Sequence, residues 1–320
     1  MALEAIAKYF PPPSFLKPTH IGISFSDSNI KAVYFDRLFS KPRIESIVVS
    51  LEKGAIVEGR ISNTESVVKA LSTIRQKFAS PFVFFTIPDE LTYVFSVSIP
   101  VISPHNITES VAFSIEENVP LLLSDTIFDF KPIKIVQSNS EYKATVVVAA
   151  CVKKEVEKFV DVIHRSGLEP VGCIHESQAI ALSVVSKDFK GTVHVVHARK
   201  NRIGIYLLKD NVVLFSTIRS VLEGDYKKQF LDEYEKFLEY CSKYNISEEM
   251  PKVSIFVCGD FEYGKSAIES LLDYKGSTKD AKLSNVWSNV LEIERDTPEI
   301  SYEDSLALAG PIGAVLASTL

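Results

Sequence analysis

Glycine is missing from the stretch where a phosphate loop would need it, cysteine is sparse, and no segment is apolar enough to cross a bilayer. The four cysteines in 320 residues, Cys151, Cys173, Cys241 and Cys258, are widely spaced and form no C-x-x-C, which argues against a disulfide framework or a zinc knuckle. No run reaches the roughly 18 to 20 uncharged apolar residues of a spanning helix. The first residues lack the secretory order of charged region, apolar core and cleavage site, so a cytoplasmic protein is expected. A net charge of −6 and a pI near 5.6 lack the basic footprint of a nucleic-acid binder. No G-x-S-x-G, H-E-x-x-H, P-loop or G-x-G-x-x-G is present. His194 and His197 are a close pair, but three residues apart on a strand they point to opposite faces and do not suit one metal ion.

What is present is an ordinary soluble composition, 46% hydrophobic and 24% charged, long enough for roughly two domains. The chain is expected to divide into an extension (1–18), a first domain (19–190) with an insert at about 91–150, and a second domain (191–320). Residues 2–10 place Leu3, Ile6 and Phe10 at helical intervals before Pro11, Pro12 and Pro13 stop the helix. This segment reads as a short helix lying on the body, or as a peptide touching a membrane surface or partner.

Thr19 to Phe35 holds two apolar alternating runs around a polar turn, with Lys31 just beyond it, the outline of a phosphate-cradling hairpin. Strands are expected at 21–26, 30–36 and 44–51, then a helix at 63–78 with Val67, Val68, Leu71, Ile74 and Phe78 as its stripe and Asn63 or Thr64 as N-cap. The segment 81–88, PFVFFTIP, reads as a buried central strand. The second half repeats this order: strands at 192–198, 202–209 and 212–219, the last two joined at a hairpin turn Asp210-Asn211, then a helix at 226–244 and a strand at 252–259. Two copies of a βββαβ unit, each opening with a phosphate-type hairpin, describe an α/β, actin-like (ribonuclease H-like) two-domain fold.

Between the first copy and its closing helices lies a strand (95–100), a helix (107–119) whose Ile107, Val111, Phe113 and Ile115 are apolar and whose Glu116 and Glu117 are solvated, and two more strands (126–135, 142–150). Helices follow at 154–166, closed by Gly167, and at 174–185, and again at 264–274 and 303–319.

Four stretches resemble the PilM family of type IV pilus assembly, itself related to the cell-division protein FtsA. GISFSDSNIKAVYF (22–35) lies on the family's GIDIGSxSVKAVEL-type opening, and TIPDELTYVFSVSIP (86–100) on its ALPxxxxxxRxxxLP segment. SIEENVPLLLSDTIFDFKPI (114–133) resembles the EAExYIPxPLDEVxxDFxxL form, the most specific of these. The run 143–182 follows the family's VLLVAAxxExVxxYxxxxxxAGLxPxxxDxExxAL pattern. The resemblance implies an SHS2-like insert subdomain. It also implies a cytoplasmic assembly protein peripheral to the inner membrane, whose partner is the short cytoplasmic tail of a PilN-like membrane protein, with other pilus or secretion components and self-association as further family traits.

Carried over residue by residue, the nucleotide motifs are degenerate. The family's metal-organising aspartate falls on Ser24 and the next glycine on Ser26, while Lys31 is retained. In HVVHARKNRIGIYLLKDN (194–211), His197 occupies the second aspartate position and Arg199 the glycine position, and the adenosine-side loop reduces to Cys258-Gly259-Asp260-Phe261. Without glycine a backbone cannot come close to a phosphate, and Phe25 and Arg199 bring side chains into that approach. The lost carboxylates remove the Mg²⁺ ligands. No cofactor and no catalytic residue are therefore expected, and the protein reads as a pseudo-ATPase adaptor; the alternative is a functional Mg-ATP-binding protein with atypical loops. Arg199 and Lys200 read as a solvated turn, or else as side-chain holders of phosphate. Asp27 sits on the far side of the first turn, away from the missing acid. Glu176 and Gln178 fall where actin-like proteins face the hydrolytic water, but an acid or amide at a helix start reads as a cap. Between Arg219 and the helix at 226–244 the family's helical subdomain is shortened. The partner groove is expected among Phe85, Phe95, Val111, Ile115 and Leu123, residues that also suit a core.

Overall fold

The computed structural model describes residues 19–36, 43–101, 107–138, 141–222, 224–243, 253–274, 280–291 and 299–318. The helix expected at 2–10 lies outside these residues. The first lobe opens with β1 (Ile21–Phe25), β2 (Asn29–Asp36) and β3 (Arg43–Ser50), then a small hairpin, β4 (Ile56–Val57) and β5 (Arg60–Ile61), helix α1 (Thr64–Lys77) and β6 (Phe82–Ile87). Asn63 caps α1, its side chain accepting from the Ser66 N–H, and Val67, Leu71 and Ile74 form its buried stripe.

The insert follows as β7 (Thr92–Val101), α2 (Ile107–Asn118), β8 (Thr126–Ser138) and β9 (Glu141–Val152), a three-stranded sheet in the order β7-β9-β8. Its core is built from Val111 and Ile115 of α2 against Ala144, Val146 and Val148 of β9. Phe113 does not join them: it is 80% exposed, because two residues beyond Val111 on a helix is roughly 200° away from it.

Helix α3 (Lys153–Arg165) returns the chain to the first lobe. The helix expected at 174–185 begins two residues later: Glu169–His175 is a strand, β10, paired parallel to β6, and only Glu176–Val184 is helical (α4). Pro170 and Gly172 hide this strand in the sequence, and an edge position with a register shift between them tolerates both.

The second lobe comprises β11 (Thr192–Arg199), β12 (Arg202–Lys209), β13 (Val212–Ser220), α5 (Tyr226–Lys243), β14 (Ser254–Gly259), α6 (Phe261–Asp273) and β15 (Ala281–Leu283), closed by α7 (Tyr302–Leu306) and α8 (Ala309–Ala317). The single helix expected at 303–319 is thus two, broken around Ala307 and Leu308. Asp210 and Asn211 both take positive φ (50° and 66°), the twist that a two-residue hairpin turn between β12 and β13 requires.

The two large sheets have the same plan. Read from the antiparallel side, one runs β3-β2-β1-β6-β10 and the other β13-β12-β11-β14-β15. In each, the second strand pairs antiparallel with the opening strand, and the strand after the first long helix pairs parallel with it. The lobes are tied by exchanged helices: α8, at the end of the second lobe, packs on β1, β6 and β2 of the first, while α4 packs on β12 and β13 of the second. The two helices cross so closely that a Cβ on Gly313 would stand 1.7 Å from the Ala179 carbonyl oxygen.

Candidate functional site

The β1–β2 and β11–β12 hairpins meet tip to tip in the cleft between the lobes. Along β1, Ile21, Ile23 and Phe25 face the first-lobe core, so Gly22 and Ser24 face the other way, towards α8 and the cleft. Phe25 therefore does not enter the phosphate approach; it packs edge-on against Phe85 and Phe159. Ser24 is buried and pairs in register with Lys31, which brings these two predicted residues to one spot. Ser26 instead closes the turn, donating to the Asn29 carbonyl at 2.8 Å.

The second hairpin fills the cleft with side chains. The turn Lys200-Asn201 places Arg199 opposite Arg202 at the end of the ladder. Arg199 is not a solvated turn residue: its side chain is 12% exposed and its Nη2 lies 3.7 Å from Glu176 Oε2 and 3.9 Å from Glu90 Oε1. Arg202 forms a fork, Nη2 donating to Asp27 Oδ2 at 2.9 Å while Nη1 contacts Glu90. Asp27 is fully used, its other oxygen accepting from the Gly59 N–H at 3.2 Å. His197 lies beneath, its Nδ1 3.5 Å from the Tyr206 hydroxyl, and the Tyr206 ring covers Gly204. His194 points away, to Tyr234 (3.0 Å) and Phe237 of α5.

Gly259 closes the cleft floor. Its φ of 107° and a would-be Cβ 2.2 Å from the Ala198 carbonyl allow only glycine there. The next residue, Asp260, bonds back to β11, donating its N–H to the Ala198 carbonyl and accepting from the Lys200 N–H at 2.9 Å.

The electrostatics follow from burial. Glu176 is pushed up to about 7 because it is desolvated, an effect that Arg199 offsets only in part. Asp89, whose Oδ1 accepts from the Ser177 N–H at 2.9 Å, is raised for the same reason. Burial lowers Lys31, and it lowers His197 well below the ordinary range, with Arg199 and Lys31 adding to the effect. Glu176 is not a cap; His175 holds that position, its Nδ1 accepting from Gln178 N–H. The Gln178 side chain instead stitches α4 to the second lobe, donating to the Asn211 carbonyl at 3.0 Å and accepting from Val213 N–H at 3.1 Å.

The site therefore unites Ser24, Lys31, His197, Arg199 and Gly259 as the sequence implied, and adds Glu90, Arg202 and Glu176, which sequence reasoning left out or read otherwise. Both acid positions are a serine and a buried histidine, and the hairpin tips that would straddle the phosphates touch each other through Arg202 and Asp27.

A second concave surface lies between the insert and both lobes, a groove of about 780 Å³. It is lined by Ile127, Asp129 and Lys131 of β8, Val147, Ala149 and Cys151 of β9, Ile174 and His175 of β10, and Val212 and Val213 of β13. Of the residues expected to form a partner groove, Phe85, Val111 and Ile115 are at most 1% exposed and belong to the cores of the first lobe and the insert. Phe95 and Leu123 are half-buried around the insert core. None of the five lines the 780 Å³ groove, which lies on the opposite face of the insert sheet from α2.

Comparison with known proteins agrees with this architecture. The family described as type IV pilus assembly protein PilM matches residues 22–255. A PilM-PilN type IV pilus biogenesis complex superposes with a TM-score of 0.75 at 14% identity, covering 94% of this chain and 98% of that one. The cytoplasmic domain of EpsL, an inner-membrane component of the type II secretion system of Vibrio cholerae, gives 0.52 at 10% identity, covering 94% and 95%. A protein of unknown function with an actin-like ATPase fold from Bacteroides thetaiotaomicron gives 0.50 at 12%, covering 83% and 91%. These likenesses show the actin-like fold. No curated protein sequence matches.

Proposed function

Because the chain belongs to the PilM family of type IV pilus assembly proteins, we propose that it is a nucleotide-independent adaptor on the cytoplasmic side of the inner membrane, binding the short tail of a PilN-like membrane protein. The groove carries this reading. It is mainly apolar and walled by β8, an edge strand whose outer main-chain groups can pair with an added strand. Ile127, Ala149 and Val213 among its lining residues would take apolar side chains, with Lys131 and Lys187 as cations in the same lining. On this reading the ATPase chemistry of the fold is given up, which the serine and the buried histidine at the two acid positions and the arginine pairs across the hairpin tips support.

The test is calorimetric titration with a synthetic peptide of the cytoplasmic tail of the neighbouring membrane protein. Saturable binding is expected, and Ala149→Trp, which fills the groove from β9, should abolish it while leaving the far-ultraviolet dichroism unchanged. Binding that survives Ala149→Trp places the partner elsewhere and overturns the groove.

A further inference from the structure

We infer that Arg202 and Arg199 form an internal clamp that holds the two lobes closed in place of a nucleotide, and that this clamp keeps the partner groove formed. The inference rests on the adaptor reading only for what fills the groove; the clamp itself stands on the ion pairs. Both arginines come from the second lobe, and the carboxylates within 4 Å of their guanidinium nitrogens come from the first: Arg202 pairs closely with Asp27 in the β1–β2 turn and Glu90 just after β6, while Arg199 stands 3.9 Å from Glu90 and 3.7 Å from Glu176 at the head of α4.

In an actin-like cleft, bridging charge between two hairpins is otherwise supplied by a ligand with its metal. Here a planar guanidinium supplies it. Arg202 offers two donor nitrogens to two different carboxylates, the geometry for which its fork is suited and an ammonium is not. The Arg202–Glu90 pair is shielded, its side chains 10% and 12% exposed, so solvent screens it little, whereas Asp27 is 40% exposed and faces solvent. Removing Glu90 or Arg202 leaves the other buried and uncompensated, which makes this pair a latch rather than a graded attraction.

The groove depends on the same closure. Its walls come from three bodies, the insert (Ile127, Ala149), the first lobe (Ile174) and the second lobe (Val213, Asn289), so any swing of the second lobe opens it. β13, which forms one groove wall, also packs on β7 and on the turn after β6 that carries Glu90, so the clamp and the groove share this contact.

Pulsed electron paramagnetic resonance between spin labels on Lys69→Cys of α1 and Lys236→Cys of α5, with exposed Cys173 replaced by serine, reads the separation of the lobes. In the otherwise unaltered chain a single narrow distance is expected, the same with and without Mg-ATP. Arg199→Met with Arg202→Met should broaden and lengthen it and weaken tail-peptide binding at least tenfold. Asp27→Asn, on the solvent side of the clamp, should shift it in the same sense by less, and serves if the double variant does not fold. An unchanged distance in the arginine or Asp27 variants overturns the clamp while leaving the adaptor reading intact. A distance that narrows only when Mg-ATP is added overturns the nucleotide-independent reading itself.

Discussion

Glu176 is held in the fold at a cost near neutral pH. Its ordinary value is 4.5 and burial raises it to about 7. An acid raised in this way contributes stability that is fully present below 4.5 and is lost as the pH rises through 7, up to about 3 kcal/mol. Glu176→Gln mimics the protonated form, so it should leave the melting temperature unchanged near pH 4.5 and raise it progressively towards pH 8; a gain independent of pH would contradict the assignment. The buried histidines act in the opposite direction. His194 and His175 are lowered by burial to about 4, so the stability they contribute is complete above 6.5 and lost as the pH falls towards 4. His194→Asn keeps an acceptor for Tyr234 and removes the titration, and it should flatten the acid limb of a melting-temperature profile even while lowering stability overall. Much of this site was legible in the sequence, because pairing register alone brings Ser24 to Lys31 and Arg199 to Arg202. The partners were not: nothing local in the sequence tells that Glu90, just after β6, and Glu176, at the head of α4, both arrive within 4 Å of Arg199.

At the scale of elements, periodicity identified most strands and helices and misjudged those that tertiary contact decides. β10 carries a proline and a glycine and alternates only weakly between exposed and covered positions, so its pairing with β6, not its propensity, makes it a strand. Phe113 was placed with the apolar stripe of α2 by type, whereas the i, i+4, i+8 spacing of Ile107, Val111 and Ile115 leaves it outside. Val111→Ala should therefore cost about 2 kcal/mol or more in denaturant melts, while Phe113→Asp should stay within about 0.5 kcal/mol. The crossing of α4 and α8 gives a sharper contrast. At Gly313 an added methyl meets Ala179 backbone at 1.7 Å, which neither helix can relieve without moving, whereas at Gly310 it meets the Ser24 Cβ at 3.2 Å, a contact that a small shift absorbs. Gly313→Ala should destabilise by about 3 kcal/mol or more and Gly310→Ala by distinctly less, read from urea midpoints at constant slope. Equal effects would mean that the helices slide freely past one another.

For the molecule as a whole, the duplicated sheet plan was legible because each copy keeps three antiparallel strands, a helix and a parallel strand in the same order, a pattern that does not depend on which residues stand at the hairpin tips. What the sequence could not convey is that the cleft is filled and not merely degraded. An emptied site would leave the lobes joined chiefly through α4 and α8; in the structure Arg202 pairs across the cleft with Asp27 and Glu90, Arg199 lies within 4 Å of Glu90 and Glu176, and a separate groove opens at the insert. The two concavities make opposite demands on a thermal shift. A ligand of the native state raises the melting point by an amount set by RT ln(1 + [L]/Kd), about 2.7 kcal/mol of stabilisation at a hundredfold excess over Kd. Mg-ATP at millimolar concentration should therefore leave the melting temperature unchanged, because its binding would first have to break the Arg202 pairs with Asp27 and Glu90. The tail peptide should raise it in a concentration-dependent way and lose that effect in Ala149→Trp. A rise with Mg-ATP that persists in Ala149→Trp would instead assign the ligand to the old cleft and return the protein to the nucleotide-binding members of its fold.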